Sequence, residues 1–496
     1  MRQKFIQQKS IGVESISEVK IPNITRDELP PVLKALQYIF ITPELNKKVF
    51  RILFKSIDNV DVNKGRKGMS LWEILVLAVI RNSLDTNYDR LHDFANYHLL
   101  VRKIMGVHIA FGYENDKNVQ QYGLQTIKDN VKLLSTELID EINTLVIKTG
   151  HSLVKKKEDE KLRISVDTYV LESNVHFPTD LNLLWDSIRK IIAIFVYLSI
   201  NYNIKGWRKE KNWRRKLKGV FRVSAQVHKS GGKNKDLRLK AIVSAYLNLS
   251  KLLLDKALKS IKELPMNEIT DFKFAAKLIE LDYYKDMLIK HIDLVERRII
   301  KDETIPASEK LVSIFETHTE WLQKGKSGRK KVELGHNMLI ASDQFQFIVY
   351  HKVIEGVSDV DLTEKTINEL YKKYPGLLYS ASFDKGFSSK EVKKAIISSG
   401  KVEKLILPKR GKRNKEEQEE ENSKEFKQLK NKHSRVESNI NRLEHNGLNT
   451  CPDKGLENFK RYASIGVLSY NLHNLGRILI KQELKEKERL KKRQTA

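Results

Sequence analysis

Apolar residues change their spacing several times along this chain, and each change predicts a different element. Through about the first 155 residues the spacing is helical. Ser70-Leu-Trp-Glu73 has the form of a capping box and opens an apolar stretch. Ile127, Val131, Leu134, Leu138, Ile142 and Leu145 recur at helical intervals, which predicts one long amphipathic helix. Residues 84–106 read as two short helices with polar faces, in the manner of a loose helix-turn-helix. At Leu162 the period drops to two. Ile164, Val166, Thr168 and Val170 share one face of a strand that carries Asp167 at its middle.

A helical block then runs over 182–322, with Tyr284, Leu288, Ile292, Val295 and Ile299 as its clearest stripe. Strand-like sequence resumes at Val332. Residues 337–341 and 344–353 read as strands joined at Ser342-Asp343, and 362–374 as a helix stopped by Pro375-Gly376. Residues 377–383 form a short apolar strand ending on Asp384; 388–399 read as helix and 402–407 as strand. The charged run 409–432 is either a solvated loop or an exposed helix. A helix starting near His433 carries Val436, Ile440 and Leu443 on one face, with Glu437 beside them. With the helical block set aside, the order is β-β-β-α-β-α-β-α, an α/β domain with a mixed sheet flanked by helices. No internal repeat is present.

Composition narrows the function classes. The chain has 496 residues, 40% of them hydrophobic, which is enough for packed cores. Its single cysteine, Cys451, excludes an internal disulfide framework and a cysteine-rich zinc module, and points to a reducing compartment. The densest apolar runs, 71–80 and 191–200, are about half the ~20 residues a spanning helix needs, so no membrane partner is expected. MRQKFIQQKS at the start lacks the apolar core of a signal peptide. A cytoplasmic, nucleoid-associated location is the expectation.

Lys and Arg number 91 against 63 Asp and Glu, a net charge of +28, so a polyanion is the natural partner. The charge is concentrated. Residues 201–240 hold 14 Lys and Arg and 2 acids, with Trp207, Trp213 and Phe221 interleaved. Arg208, Lys209, Arg214, Arg215, Lys216 and Lys218 are the candidate DNA contacts there, and Arg435 is a further one. Trp207 or Trp213 either stacks on a displaced base or packs in a core.

The candidate chemistry is acidic. Aspartate is depleted in strands, and a charge on a packed sheet is costly unless paired or metal-bound. If the first and fourth strands are neighbours, Asp167 and Asp384 meet at one sheet edge, and Glu437 on the last helix can swing against it. Three such carboxylates suit a divalent ion, and all-oxygen ligation selects Mg²⁺ or Mn²⁺. Two ions clamp the attacking and leaving oxygens of a phosphodiester. The bland alternatives are a turn residue for Asp384 and a surface acid for Glu437. Gly325-Lys-Ser327 lacks the preceding glycine and strand of a phosphate loop, so no nucleotide cofactor is expected.

Four stretches resemble transposases of bacterial insertion sequences, of the ISNCY-like group, which use an Asp-Asp-Glu triad on an RNase H-like fold. They are Asp167-Thr-Tyr-Val-Leu-Glu-Ser-Asn-Val-His-Phe-Pro-Thr-Asp180 with Leu183-Leu-Trp-Asp-Ser-Ile-Arg189; Ser313-Ile-Phe-Glu-Thr-His-Thr-Glu320 with Lys324-Gly-Lys326 and Glu333-Leu-Gly-His336; Phe383-Asp-Lys-Gly-Phe387; and Ser434-Arg-Val-Glu-Ser438 through Leu443 with Cys451-Pro-Asp-Lys-Gly-Leu-Glu-Asn-Phe459. Together they cover about 162–200 and 311–477.

The resemblance implies Asp167, Asp384 and Glu437 as catalytic residues and ligands of Mg²⁺ or Mn²⁺, as two ions. Glu444 is the rival third ligand, because it stands where some related enzymes carry a Lys. Asp453 is set aside, since no apolar strand leads into it. His176, Asp180, Glu316, His318 and Lys385 are possible neighbours of the site, with structural roles open for each. Arg435 and His433 are placed to hold phosphate.

The resemblance also divides the chain. Residues 1–157 form a helical DNA-binding or dimerisation region, and 158–180 the first strand of the RNase H-like domain. Residues 181–330 are a basic helical insertion, 331–477 the remainder of the catalytic domain, and 478–496 a basic tail. The implied function is metal-dependent cleavage and strand transfer at the ends of a mobile DNA element. The partners are double-stranded DNA, as terminal inverted repeats and target, and a second copy of the chain on that DNA. Two alternatives stand beside it: an RNase H-like nuclease without strand joining, and a non-catalytic DNA-binding descendant.

Overall fold

The computed structural model describes residues 13–57, 68–108, 120–265, 269–323 and 332–494. The expectations for residues 1–12, Lys324-Gly-Lys326 and Gly325-Lys-Ser327 lie outside them. The chain divides into two units, one of residues 1–174 and 322–496 and one of residues 175–321.

The first unit is built on a mixed sheet of seven strands. These are β1 (Leu162–Ser173), β2 (Glu320–Gln323), β3 (Val332–Ser342), β4 (Ile348–Val353), β5 (Leu378–Phe383), β6 (Lys404–Ile406) and β7 (Thr450–Cys451). The order is β2-β3-β1-β5-β6, with β4 also on β3 and β7 also on β1. β3 is antiparallel to β1 and to β4, whereas β5 and β7 run parallel to β1, and β6 parallel to β5. This is the mixed α/β class that the periodicity predicts, with helices on both faces.

Alternation along β1 separates two apolar layers. Ile164 and Val166 join Leu339, Ala341, Ala381 and Phe383 in a core shared with the helices of residues 29–154 and with Leu362, Ile367 and Leu370. Leu171, with Tyr169 packed beside it, joins Met338 and Ile340 on the other face, against Val436, Ile440 and Leu443. The helix Leu456–Gln494 serves both layers, through Leu468, Leu472 and Leu475 for one and Phe459, Val467 and Tyr470 for the other. Its last turns, which carry the basic tail, are exposed. No helix among the described residues is long and apolar enough to cross a membrane.

Two local expectations change, and a third resolves to one of its two alternatives. The stripe from Ile127 to Leu145 is two helices, Leu124–Val131 and Thr136–Val154, because the Ser135 side chain accepts the Leu138 N–H and starts a new helix. The pair Tyr88–Tyr97 and Leu99–Met105 is joined by His98 alone, which itself caps the second helix. A helix-turn-helix needs a turn of about three or four residues, so this is not one. The charged run is helical, as Lys415–Asn422 and Lys424–Asn431, capped by Asn414 and Ser423.

The second unit consists mainly of four helices, Asp180–Tyr202, Glu210–Lys229, Lys235–Lys262 and Phe272–Val295, around one apolar core. Trp207 is 2% exposed, stacks on Phe195 at 4.4 Å between ring centroids, and donates its indole N–H to Ser260 Oγ at 3.0 Å. It is a core residue and offers no free face to a base. Trp213 packs half-buried against the same core.

Gly476 sets how closely the C-terminal helix approaches Leu29–Ile41. A Cβ there would lie 1.7 Å from the Pro31 carbonyl oxygen. Gly476→Ala should therefore cost about 1–3 kcal/mol or more in urea unfolding. Gly219→Ala, in an open helix position with nothing within 4 Å, should be neutral or stabilising by up to ~1 kcal/mol.

Candidate functional site

The pairing of β1 with β5 positions two of the candidate acids. In the parallel register Ser165 lies opposite Ser382 and Val166 opposite Phe383. The next residue on each chain is an aspartate, Asp167 and Asp384, so the two stand level where β5 ends. On the same edge of β1, β7 begins only at Glu172. Residues 167–171 therefore have no strand beside them on that side, and Asp167 opens onto this notch. The carboxyl ends of parallel strands are where α/β sheets present ligands.

Glu437 arrives on the helix Ser434–Leu443, in its first turn. Val436, Ile440 and Leu443 seat that helix on the face of the sheet that carries Tyr169 and Leu171. Asp167 shares this face by alternation. Burial raises the Asp167 pKa to about 6 from an ordinary 3.8; a hydrogen bond from the Thr168 N–H opposes this, and the charges of Asp384, Glu437 and Asp359 push further upward. Asp384 and Glu437 thus both act electrostatically on Asp167. Asp167 is half-buried at the floor, and Asp384 and Glu437 are exposed above it. Glu444, in the following turn, acts instead on Tyr169, two residues along β1.

Asp359 is a fourth carboxylate that the sequence reading missed. It lies in the first turn of Asp359–Lys373, a helix on the opposite face of the sheet. Burial raises its pKa, Arg410 opposes this, and Asp384 adds to it. Its position gives no signal in sequence, because an acid in a first helical turn is ordinary. Arg410 was also missed, inside the charged run. Its guanidinium donates to the Lys385 carbonyl at 3.0 Å and the Gly386 carbonyl at 2.7 Å, and Thr363 Oγ1 donates to the Phe387 carbonyl at 3.1 Å. These bonds hold the turn that follows Asp384. The predicted neighbour Lys385 belongs to this turn and its side chain is exposed.

His433 precedes the Glu437 helix and pairs through Nδ1 with Ser382 Oγ at 3.1 Å. Burial lowers its pKa, against the pull of Asp384 and Glu437. Burial therefore favours its neutral ring, and the bond to Ser382 fixes that ring in place. Arg435 is exposed on the same helix.

The donor set suits a hard divalent cation. It is all carboxylate, two members are exposed, and the third resists ionising while its neighbours are uncompensated. Among the described residues no group of three or more His, Cys, Asp or Glu side chains stands close enough together to hold a metal ion as the structure is.

The predicted neighbours His176, Asp180, Glu316 and His318 lie in the second unit, each with a partner there. His176 Nε2 pairs with Asp186 Oδ2 at 2.6 Å, Asp180 accepts from Arg298 at 2.6 Å, and His318 pairs with Glu316 at 3.1 Å. The basic helix Glu210–Lys229 buries only Leu217 and Ser224. Arg208, Lys209, Arg215, Lys216 and Lys218 are exposed and Arg214 is half-buried. Arg215 donates to Asn212 Oδ1 at 3.3 Å.

No family model matches the chain, and no curated protein or solved structure matches it either.

The Asp167 shift gives a pH signature. A carboxyl whose folded pKa exceeds its unfolded value contributes stability below pH 3.8, and that contribution is lost as pH rises through about 6. Urea unfolding in EDTA should show this loss between pH 4 and about 6.5. Asp167→Asn should remove it and leave a flatter profile. Asp384→Asn should narrow the window by lowering the Asp167 pKa.

Proposed function

We propose that this protein is a DNA transposase of the Asp-Asp-Glu type, with an RNase H-like catalytic core. The observation that carries the reading is the β1–β5 register, which sets Asp167 level with Asp384, together with the Glu437 charge acting on Asp167. The element order and the mixed sheet, antiparallel through β1, β3 and β4 and parallel through β1, β5 and β6, support the RNase H-like assignment. Exposed basic residues on and just before the helix Glu210–Lys229 support a nucleic-acid partner. We assign that partner as the element's inverted repeats and its target DNA, with two copies of the chain acting together.

Asp167, Asp384 and Glu437 would hold Mg²⁺ or Mn²⁺. Bound there, such ions supply charge neutralisation at phosphate and lower the pKa of water. Because burial resists ionisation of Asp167, a bound cation would be what holds it as a carboxylate; the chain's own part is to set Asp167 level with the end of β5 and to fix Asp384 through the Arg410-clamped turn. Arg435 offers a guanidinium to a phosphodiester beside Glu437. In the first reaction a water oxygen bonds to phosphorus, the P–O3′ bond breaks and the leaving 3′ oxygen takes up a proton. In the second, that 3′-hydroxyl attacks a target phosphodiester, one P–O bond replaces another, and the proton passes to the departing oxygen.

The test is Mg²⁺- or Mn²⁺-dependent cleavage and joining of the element's own ends. Asp167→Ala, Asp384→Ala and Glu437→Ala should each lose at least about 100-fold in rate, and Glu444→Ala much less. Activity retained in both aspartate variants would remove the site. Cleavage without joining of a pre-cut 3′ end would identify a nuclease instead. DNA affinity should fall steeply with salt. Neutralising the 201–240 cluster should flatten the log–log slope by about 0.9 for every phosphate it no longer neutralises. The same number of changes in the tail should flatten it less.

A further inference from the structure

The first unit contains a cavity of about 610 Å³, lined by none of the acidic-site residues. Its size lies within the usual range for small-ligand sites. It brings together the helix Leu71–Ser83, the start of Tyr88–Tyr97, the end of Leu124–Val131 and the Cys451-Pro-Asp-Lys-Gly segment. The proposed chemistry leaves that last segment unused.

Two buried guanidiniums share one carboxylate there. Arg81, 2% exposed, makes a bidentate pair with Asp453 at 2.6 and 3.0 Å. Arg461, 8% exposed, lies 3.9 Å from the same carboxylate and donates weakly to the Lys132 carbonyl at 3.3 Å. The bidentate pair engages both Asp453 oxygens, so two buried guanidiniums share one carboxylate and the Arg461 charge, 3.9 Å away, is only partly compensated. Such a charge costs several kcal/mol unless an anion accompanies it. Arg81 Nε, Arg461 Nε and Tyr88 Oη are all buried without a hydrogen-bond partner. Lys128, Lys132 and Lys454 also line the cavity, and Asp85 is the one acid besides Asp453. Asp85 is held at φ 43°, a left-handed conformation that a non-glycine residue adopts at a cost.

We infer that this cavity is an anion site that takes a phosphate group, with Arg461 and the three lysines as its binding residues and the Arg81–Asp453 pair as its fixed wall. The inference is independent of the proposed transposase activity, because it concerns no residue of the acidic site. The purely structural reading, in which the ion pair only ties the C-terminal helix to Leu71–Ser83, requires no ligand.

Lysine acetylation of the full chain, read by mass spectrometry, separates the two. Inorganic phosphate at ten times its Kd should slow modification of Lys132 about tenfold relative to sodium chloride of equal ionic strength. Arg461→Gln should abolish this protection. Lys128→Gln/Lys454→Gln, which leaves the buried pair intact, should raise the phosphate concentration for half-protection several-fold and keeps the test valid if Arg461→Gln does not fold. Protection by chloride equal to that by phosphate, or protection unchanged in the double variant, overturns the site. Parallel arms with 5′-thymidine monophosphate and with a short DNA duplex identify the source. Stronger protection by the mononucleotide marks a free phosphate ligand, and stronger protection by the duplex marks a DNA backbone phosphate.

Discussion

The partnership of β1 with β5 ends one residue before an aspartate on each strand, and the candidate site depends on that coincidence. A parallel ladder fixes register rigidly, since a slip of one residue would turn every side chain to the opposite face. Ile164 and Val166 on one face and Leu171 on the other make such a slip costly, because both faces are buried in separate cores. The apolar packing of the sheet therefore specifies where the carboxylates stand. The acids contribute nothing to that packing and are held in place by it.

Two helices complete the arrangement from opposite faces. Glu437 and Asp359 each occupy a first helical turn, where the positive end of the helix dipole offsets part of the negative charge. This lets acids gather around Asp167 with only moderate compensation from the chain itself. Arg410 acts on Asp359 but spends its hydrogen bonds on the turn carbonyls after Asp384. Gly386 suits that turn, since a Cβ there would meet Asp359 Oδ2 at 3.3 Å and Arg410 at 3.4 Å.

Much of the sheet was legible in sequence because β1 alternates, β5 is a short apolar run, and both stop at recognisable boundaries. Asp167 stood out as a charge within an apolar strand, and Asp384 as the end of another. Asp359 was invisible because helix starts commonly carry acids, and Arg410 because it sits among charges. The break at Ser135 was hidden because the apolar stripe stays in phase across it. Trp207 sits in a basic segment, but its partner Phe195 lies on the preceding helix, and no local pattern reports that. The Arg81–Asp453 pair joins residues 372 positions apart, a relation that only the folded chain reveals.

The insertion between β1 and the rest of its sheet has a consequence for synthesis. Val166 pairs with Phe383 and with Ala341, so β1 leaves the ribosome long before either flanking strand exists. At ~5–20 residues per second, the interval before β5 appears is roughly 10–40 s. Both edges of β1 are open until β3 is made, and the edge that faces β5 stays open for the whole interval, a state prone to pairing with other chains. The nascent protein is thus a natural client for chaperones at one definable stage of translation, and codon speed across residues 175–321 sets how long that stage lasts.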